Sequence, residues 1–282
     1  MPDAFSCMEK LIGNTGTEKL SRAKIAVFGL GGAGSYTAEA LARCGVASLT
    51  LVKHGTVSVS NISRELYALR STVGKSKVQV AKSRIRDIDE GILVNTYETF
   101  YNEETAQMFD LSTYDYIVDT MDSLPSKVLL IEKARASKTP VISCMGTENK
   151  IDPFGFEIAD ISKAGSCPLI KAMKQELCRR GIHKVKVLYS KEKPFGTTPE
   201  QENGSISFVS GAAGFLLAGA VIRELLEADV KKELKGISES RKNKTGHILR
   251  ELAKQHKKND KLFDYEQVAK RIENIRLTNR KK

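Results

Sequence analysis

The sequence is poor in the residues that staple or interrupt a chain. Its five cysteines, Cys7, Cys44, Cys144, Cys167 and Cys178, form no CxxC pair, which excludes a disulfide framework and a cysteine-held structural zinc. Proline is sparse, at seven residues, and 41% of positions are hydrophobic, so the chain is neither collagen-like, mucin-like nor disordered throughout. There is no basic N-terminal stretch leading into an apolar run, so no secretory leader is expected and a cytoplasmic, reducing setting is. An uncharged run of the ~20 residues that a spanning helix needs is also missing. The longest candidate, Ile206 to Ile222, has 17 residues rich in Gly, Ala and Ser, and reads as a buried helix rather than a membrane span. No internal repeat is visible.

Positive charge is in excess and unevenly placed. The net charge is +11, yet residues 229–282 alone hold 17 Lys and Arg against 8 Asp and Glu, which leaves residues 1–228 nearly neutral at +2. The expected organisation is one globular domain over 1–228 and a basic, helical or partly disordered extension over 229–282.

Apolar periodicity predicts strands at 24–28, 48–52, 93–97, 114–118 and 140–144. Helices are expected at 33–44, 76–88, 103–109 and 125–137. Strands alternating with helices at this spacing imply an α/β, Rossmann-like, mainly parallel sheet covered on both faces. Beyond Met145, extended pieces at 155–158 and 185–189 flank a basic amphipathic helix, 168–180, and are expected as antiparallel additions. Residues 190–205 read as a loop, 206–227 as an apolar helix, and 247–257 and 264–276 as charged helical segments.

The run Gly29-Leu-Gly31-Gly32-Ala-Gly34 lies between the first strand and the first helix, the context in which G-x-G-x-x-G points to a bound phosphate. A carboxylate that accepts from ribose hydroxyls is expected at the end of the next strand. Lys53 stands there, and an ammonium only donates. Taken alone, Lys53 suggests a 2′-phosphate, hence NADP and hydride transfer. Three further segments suit a triphosphate better: Ser60-Asn61-Ile62-Ser63-Arg64, Gly74-Lys75-Ser76-Lys77 and Asp119-Thr-Met-Asp122. Cations neutralise the charge that develops as pyrophosphate leaves, and an aspartate can hold magnesium.

These segments, with KIAVFGLGGAGSYTAEALARCGV, TVGKSKVQVAKSRI and YDYIVDTMDS, resemble the ThiF/MoeB adenylating family, relatives of the ubiquitin-activating enzymes. DPFGFEIADI and YSKEKP are similar to its tRNA threonylcarbamoyladenosine dehydratase branch. The resemblance runs from about Phe5 to Leu226 and leaves out the tail after 229. It implies magnesium-ATP-dependent activation of the threonyl carboxylate on a modified tRNA adenosine. Ring closure with net loss of water follows, and no enzyme nucleophile is needed. Cys167, before Pro168, has no base near it in sequence and reads as a buried structural thiol rather than a thioester cysteine, and Cys44 and Cys144 read as core. Carried over by position, Gly29, Gly31, Gly32 and Gly34 would hold the phosphates. Asn61, Arg64 and Lys77 would contact the triphosphate, Arg64, Lys77 and Asp122 would carry catalysis, and Asp122 would bind Mg2+. The resemblance also implies a homodimer and a tRNA partner. The surface around Arg179, Arg180, His183, Lys184 and Lys186, or the basic tail, is expected to meet tRNA phosphate, the tail's alternative being a solvated extension without a ligand.

Three departures from the family pattern cluster at the nucleotide site. Cys7 replaces an arginine expected to reach the partner subunit's site, Lys53 and Gly55 replace two acidic residues, and Gly146-Thr147-Glu148 replaces a Gly-Ala-Gly turn. A homologue that binds tRNA or a protein partner without catalysis is therefore the alternative reading, with an NADP-dependent reductase behind it.

Overall fold

The computed structural model describes residues 4–165, 167–195 and 203–240, with 228–240 defined by their backbone course alone. Two units are distinguished: Glu18–Leu226, and a second drawn from the two ends of the chain. In the larger unit seven strands form one sheet in the order β3-β2-β1-β4-β5-β7-β6. They are β1 (Lys24–Phe28), β2 (Ser48–Val52), β3 (Leu93–Tyr97), β4 (Tyr116–Asp119), β5 (Val141–Cys144), β6 (Phe156–Asp160) and β7 (Lys186–Ser190). All neighbours run parallel except β6 and β7. Of the two late strands expected to be antiparallel, β7 in fact runs with β5, and only β6 on the sheet edge is reversed.

Alternation along β1 explains the layering. Ile25 and Val27 face a core built with α2 (Gly32–Arg43), α3 (Lys77–Ile88) and the first turns of α6 (Ser207–Ser240). Ala26 and Phe28 face the opposite core, with Leu129, Leu130 and Ala134 of α4 (Leu124–Ala136). Val128 and Ile131 of α4 join a third cluster with Ile170, Met173 and Leu177 of α5 (Pro168–Arg179). Both faces are thus covered, which is why β2 is buried at every position, its polar Ser48 and Thr50 included. Each large side chain so buried contributes roughly 1.5–3 kcal/mol.

Three elements depart from the sequence reading. The helix expected over 103–109 is only a 3-10 turn, Ala106–Met108. Helix α1 (Ser6–Leu20) is absent from the expected elements; it is broken at Gly13, whose φ of 72° lies in the left-handed region. The apolar helix does not stop at 227 but continues to Ser240, because Glu, Ala and Lys after Leu226 favour a helix even where the apolar pattern ends. Ser207–Glu227 is, among the described residues, the one stretch long and apolar enough to cross a membrane, and half of it is buried, Val209, Ala213, Leu217 and Val221 recurring on the sheet side. Charged segments 247–257 and 264–276, and residues 196–202 of the expected loop, lie outside the described residues.

Strand β1 sits between β2 and β4, so the chain leaves it in opposite directions on its two sides. A crevice outside the C-terminal ends of β1 and β4 is the place where such sheets take ligands.

Candidate active site

The glycine loop opens from β1 into that crevice, and its four glycines do different work. Gly29 has φ +97°, and a Cβ on it would lie 2.6 Å from the Thr120 carbonyl oxygen. A Cβ on Gly34 would strike the Gly29 carbonyl, and one on Gly32 would come within 2.6 Å of Ser210 Oγ on α6. Those three are required by packing. A Cβ on Gly31 would meet nothing within 4 Å, so this position alone is kept open toward the crevice. Gly31 and Gly32 line the cleft; Gly29 and Gly34 shape it from behind. At the start of α2 the first-turn N–H groups have no intrahelical acceptor, no side chain caps them, and the turn itself carries no acidic residue. Thr120 Oγ1 donates to the Gly29 carbonyl at 2.9 Å, tying the loop after β4 to the glycine loop.

Around this loop the predicted side chains come together. Asn61, Arg64, Lys77 and Asp122 all line the same cleft, of about 210 Å3. Asn61 is buried, and its Oδ1 accepts from the Ser58 N–H at 2.9 Å, so its amide NH2 is the end left for a ligand. Arg64 is half-buried, donates to the Ser60 carbonyl at 3.1 Å and forms no ion pair among the described residues. Lys77, the first residue of α3, pairs with Glu65 at 2.8 Å, both side chains being largely buried. Asp122 is exposed and faces Lys53, whose Nζ lies 3.7 Å from Oδ2. The helix that follows Asp122 is capped by Ser123, which accepts from the Ser126 N–H. Asp122 is thereby left free of a capping role.

Beneath these residues lies a group that sequence reasoning missed. Lys127, on α4, is fully buried, yet it reaches the cleft floor. Its Nζ donates to Asp119 Oδ2 at 3.1 Å and to the Cys144 carbonyl at 2.7 Å. Ser143 Oγ also donates to Asp119 Oδ2, and Asp119 Oδ1 accepts from the Met121 N–H at 3.0 Å. The network fixes the Asp119–Asp122 turn. Lys127 occupies the helix face shared with Ile131 and Ala134, and a charge on an apolar face was the available signal.

Glu65, Ser210 and the Gly146-Thr147-Glu148 turn complete the lining. Gly146 has φ +88°, and Glu148 accepts from Asn203 Nδ2 at 2.7 Å. Among the described residues no group of three His, Cys, Asp or Glu side chains is placed to hold a metal ion. Cys144 is buried, as expected, and burial pushes its thiol up, away from nucleophilic service. Cys44 is not core: it caps the end of α2 and is half-buried, although burial still raises its thiol. Cys167, expected as buried, is likewise half-buried at the start of α5. The basic cluster after α5 is largely neutralised, since Arg179 pairs with Glu176, Arg180 with Glu132 and Lys186 with Glu224. His183 and Lys184 are exposed.

Residues 6–276 match the ThiF family model. The chain belongs to the ThiF family. Membership reaches some fifty residues past Leu226, so the tail, set outside the resemblance on sequence, falls mostly within the family match. Among curated ThiF-family relatives is the tRNA threonylcarbamoyladenosine dehydratase of Bacillus subtilis, 39% identical over 240 residues, which cover 79% of this chain and 94% of that protein. The Escherichia coli enzyme of the same name is 33% identical over 173 residues, 61% of this chain and 65% of that one. The crystal structure of the E. coli dehydratase in complex with ATP superposes with a TM-score of 0.76 at 28% identity, covering 81% of this chain and 96% of that chain. Its complex with AMP gives 0.77.

Proposed function

We propose that this ThiF-family chain is an ATP-dependent tRNA threonylcarbamoyladenosine dehydratase that activates the substrate's threonyl carboxylate as an acyl adenylate. The observation that carries the reading is the convergence of the glycine loop, Asn61, Arg64, Lys77 and Asp122 on one cleft at the switch point of the sheet. Relatives of the same name, and the ATP and AMP complexes of one of them, support it.

The cleft's donors suit a phosphate chain. Among the described residues, the first-turn N–H groups of α2 and the Asn61 amide are free to donate, Gly31 leaves room, and Arg64 has no ion pair to surrender. At about 210 Å3, the described part of the cleft has room for a phosphate chain beside the glycine loop. Among the described residues, Asp122 is the exposed cleft carboxylate without a structural task, and it would hold Mg2+. The metal, when bound, screens the phosphate oxygens against the incoming carboxylate.

In the first step the substrate carboxylate oxygen bonds to the α-phosphorus and the bond to pyrophosphate breaks. Arg64 and Lys77 bear on the negative charge that gathers on the departing group. For Lys77 this requires sharing its ammonium with Glu65. In the second step a nucleophilic atom of the same substrate closes on the acyl carbon and gives up its proton to solvent, and AMP leaves with the carboxylate oxygen. The sum is loss of water. No cysteine is required, in keeping with the raised thiol of Cys144.

The reading extends to a homodimer in the cytoplasm and to tRNA phosphate held by the exposed His183 and Lys184 and by the basic 229–282 extension. Calorimetric titration with Mg-ATP, with NADPH as comparison, is the first test. Micromolar ATP binding is expected, followed by ring closure on modified tRNA; NADPH binding instead, or no nucleotide at all, would favour the reductase or the catalytically silent homologue. Asp122→Asn is expected to abolish AMP formation with little change in melting temperature, and unchanged turnover would remove Asp122 from the chemistry.

A further inference from the structure

The cleft is lined by four cations, Lys53, Arg64, Lys77 and Lys127, and by the carboxylates of Glu65, Asp122 and Glu148. Lys77–Glu65 and the underlying Lys127–Asp119 pair are buried, with every side chain at most 12% exposed. Glu148 is engaged by Asn203. Lys53–Asp122 differs, because Asp122 is 84% exposed while Lys53 is 24% exposed and held at the end of β2, its backbone N–H bonded to the Tyr97 carbonyl. This is the exchangeable pair. A divalent ion carried in by a polyphosphate would meet Asp122, the cleft carboxylate that, among the described residues, neither a buried ion pair nor Asn203 engages; no group of three ligands is assembled there. That carboxylate already has an ammonium 3.7 Å away. Two cations against one aspartate repel each other, so a metal can settle on Asp122 only as Lys53 withdraws.

We infer that Lys53 is the resident counter-cation of Asp122 and competes with the divalent ion for it, which lowers the magnesium dependence of nucleotide binding in this cleft. The inference rests on the ATP-binding reading above. It makes the Lys53 substitution a retuning of the site: the ammonium supplies part of the charge that a metal otherwise brings.

The test is the ratio of dissociation constants for ATP in EDTA and ATP with Mg2+, measured by calorimetry on the full-length protein. Exposed ion pairs couple weakly, so Lys53→Met is expected to raise that ratio about three- to fivefold. Lys53→Arg, which keeps the charge, should hold the parental ratio and shows that the position tolerates substitution. In an Asp122→Asn background Lys53→Met should leave the ratio unchanged, because the contested carboxylate is gone. An unchanged ratio for Lys53→Met with Asp122 intact overturns the competition, as does an equal rise in both backgrounds. If the parent binds ATP in neither condition, the functional reading falls and this inference with it. Binding with an unmoved ratio sinks the inference alone.

Discussion

Lys127 is the residue on which most of the cleft floor depends. Its ammonium is buried against Asp119 and the Cys144 carbonyl, and loss of one partner of a buried pair leaves the other as an uncompensated charge. Lys127→Met should therefore destabilise the fold by about 3–5 kcal/mol. In a chain of this size that is a fall of roughly 10 °C in melting temperature. Adding Asp119→Asn should recover part of the loss, and differential scanning calorimetry would show it. The sequence revealed Asn61, Arg64, Lys77 and Asp122 because each stands in a short motif with a chemical reason. Lys127 and Glu65 escaped because their partners, Asp119 and Lys77, lie eight and twelve residues away and meet them only through the fold. The paired state of Lys53 was equally invisible: Lys53 and Asp122 stand on different loops, and only the placement of β1 between their strands brings them together.

At the level of elements, the glycine loop separates packing from ligand contact. Gly32→Ala would press a methyl group on Ser210 of α6 and should cost about 1–3 kcal/mol of stability. Gly31→Ala projects into open space, so melting should hardly change while nucleotide affinity drops; equal loss of affinity in both variants, or equal loss of stability, would contradict the division. A second element-level prediction concerns Tyr101, which stacks edge-on to Phe28 at 4.9 Å and whose hydroxyl is buried without a partner among the described residues. Burial, with Glu103 nearby, pushes its phenol up to about 12. Because the folded state holds the proton more tightly than the unfolded chain, this group's contribution is complete below pH 10 and is lost as pH rises from about 10 to 12. Tyr101→Phe keeps the ring contact and removes the unsatisfied hydroxyl, so it should melt higher at neutral pH, by about 1 kcal/mol, and lose less stability across that alkaline window. Strand and helix positions were legible because β-branched runs and apolar spacing are local. The 3-10 turn at 106–108, the break at Gly13 and the direction of β7 depend on what each segment packs against, which local pattern does not contain.

At the scale of the whole molecule, charge is divided between a nearly neutral body and a basic C-terminal stretch. If that stretch holds tRNA phosphate, replacing Lys257, Lys258, Lys281 and Lys282 by Gln should flatten the salt dependence of tRNA binding, measured by anisotropy between about 50 and 200 mM salt, while leaving ATP binding as it was. An unaltered slope would assign the contact to the body. The strand order also has a bearing on how the protein comes into being. An interior strand, β1, is among the first made, but its second neighbour, β4, begins ninety-two residues further along, at Tyr116, and the cleft is closed by Ser210. During synthesis the glycine loop must therefore wait, one edge of its strand unsatisfied, until most of the body has left the ribosome. Parallel pairing over such separations is slow and leaves edges open to wrong partners. A nascent chain halted before residue 210 would carry every residue proposed here to bind phosphate and still have no finished place to put one.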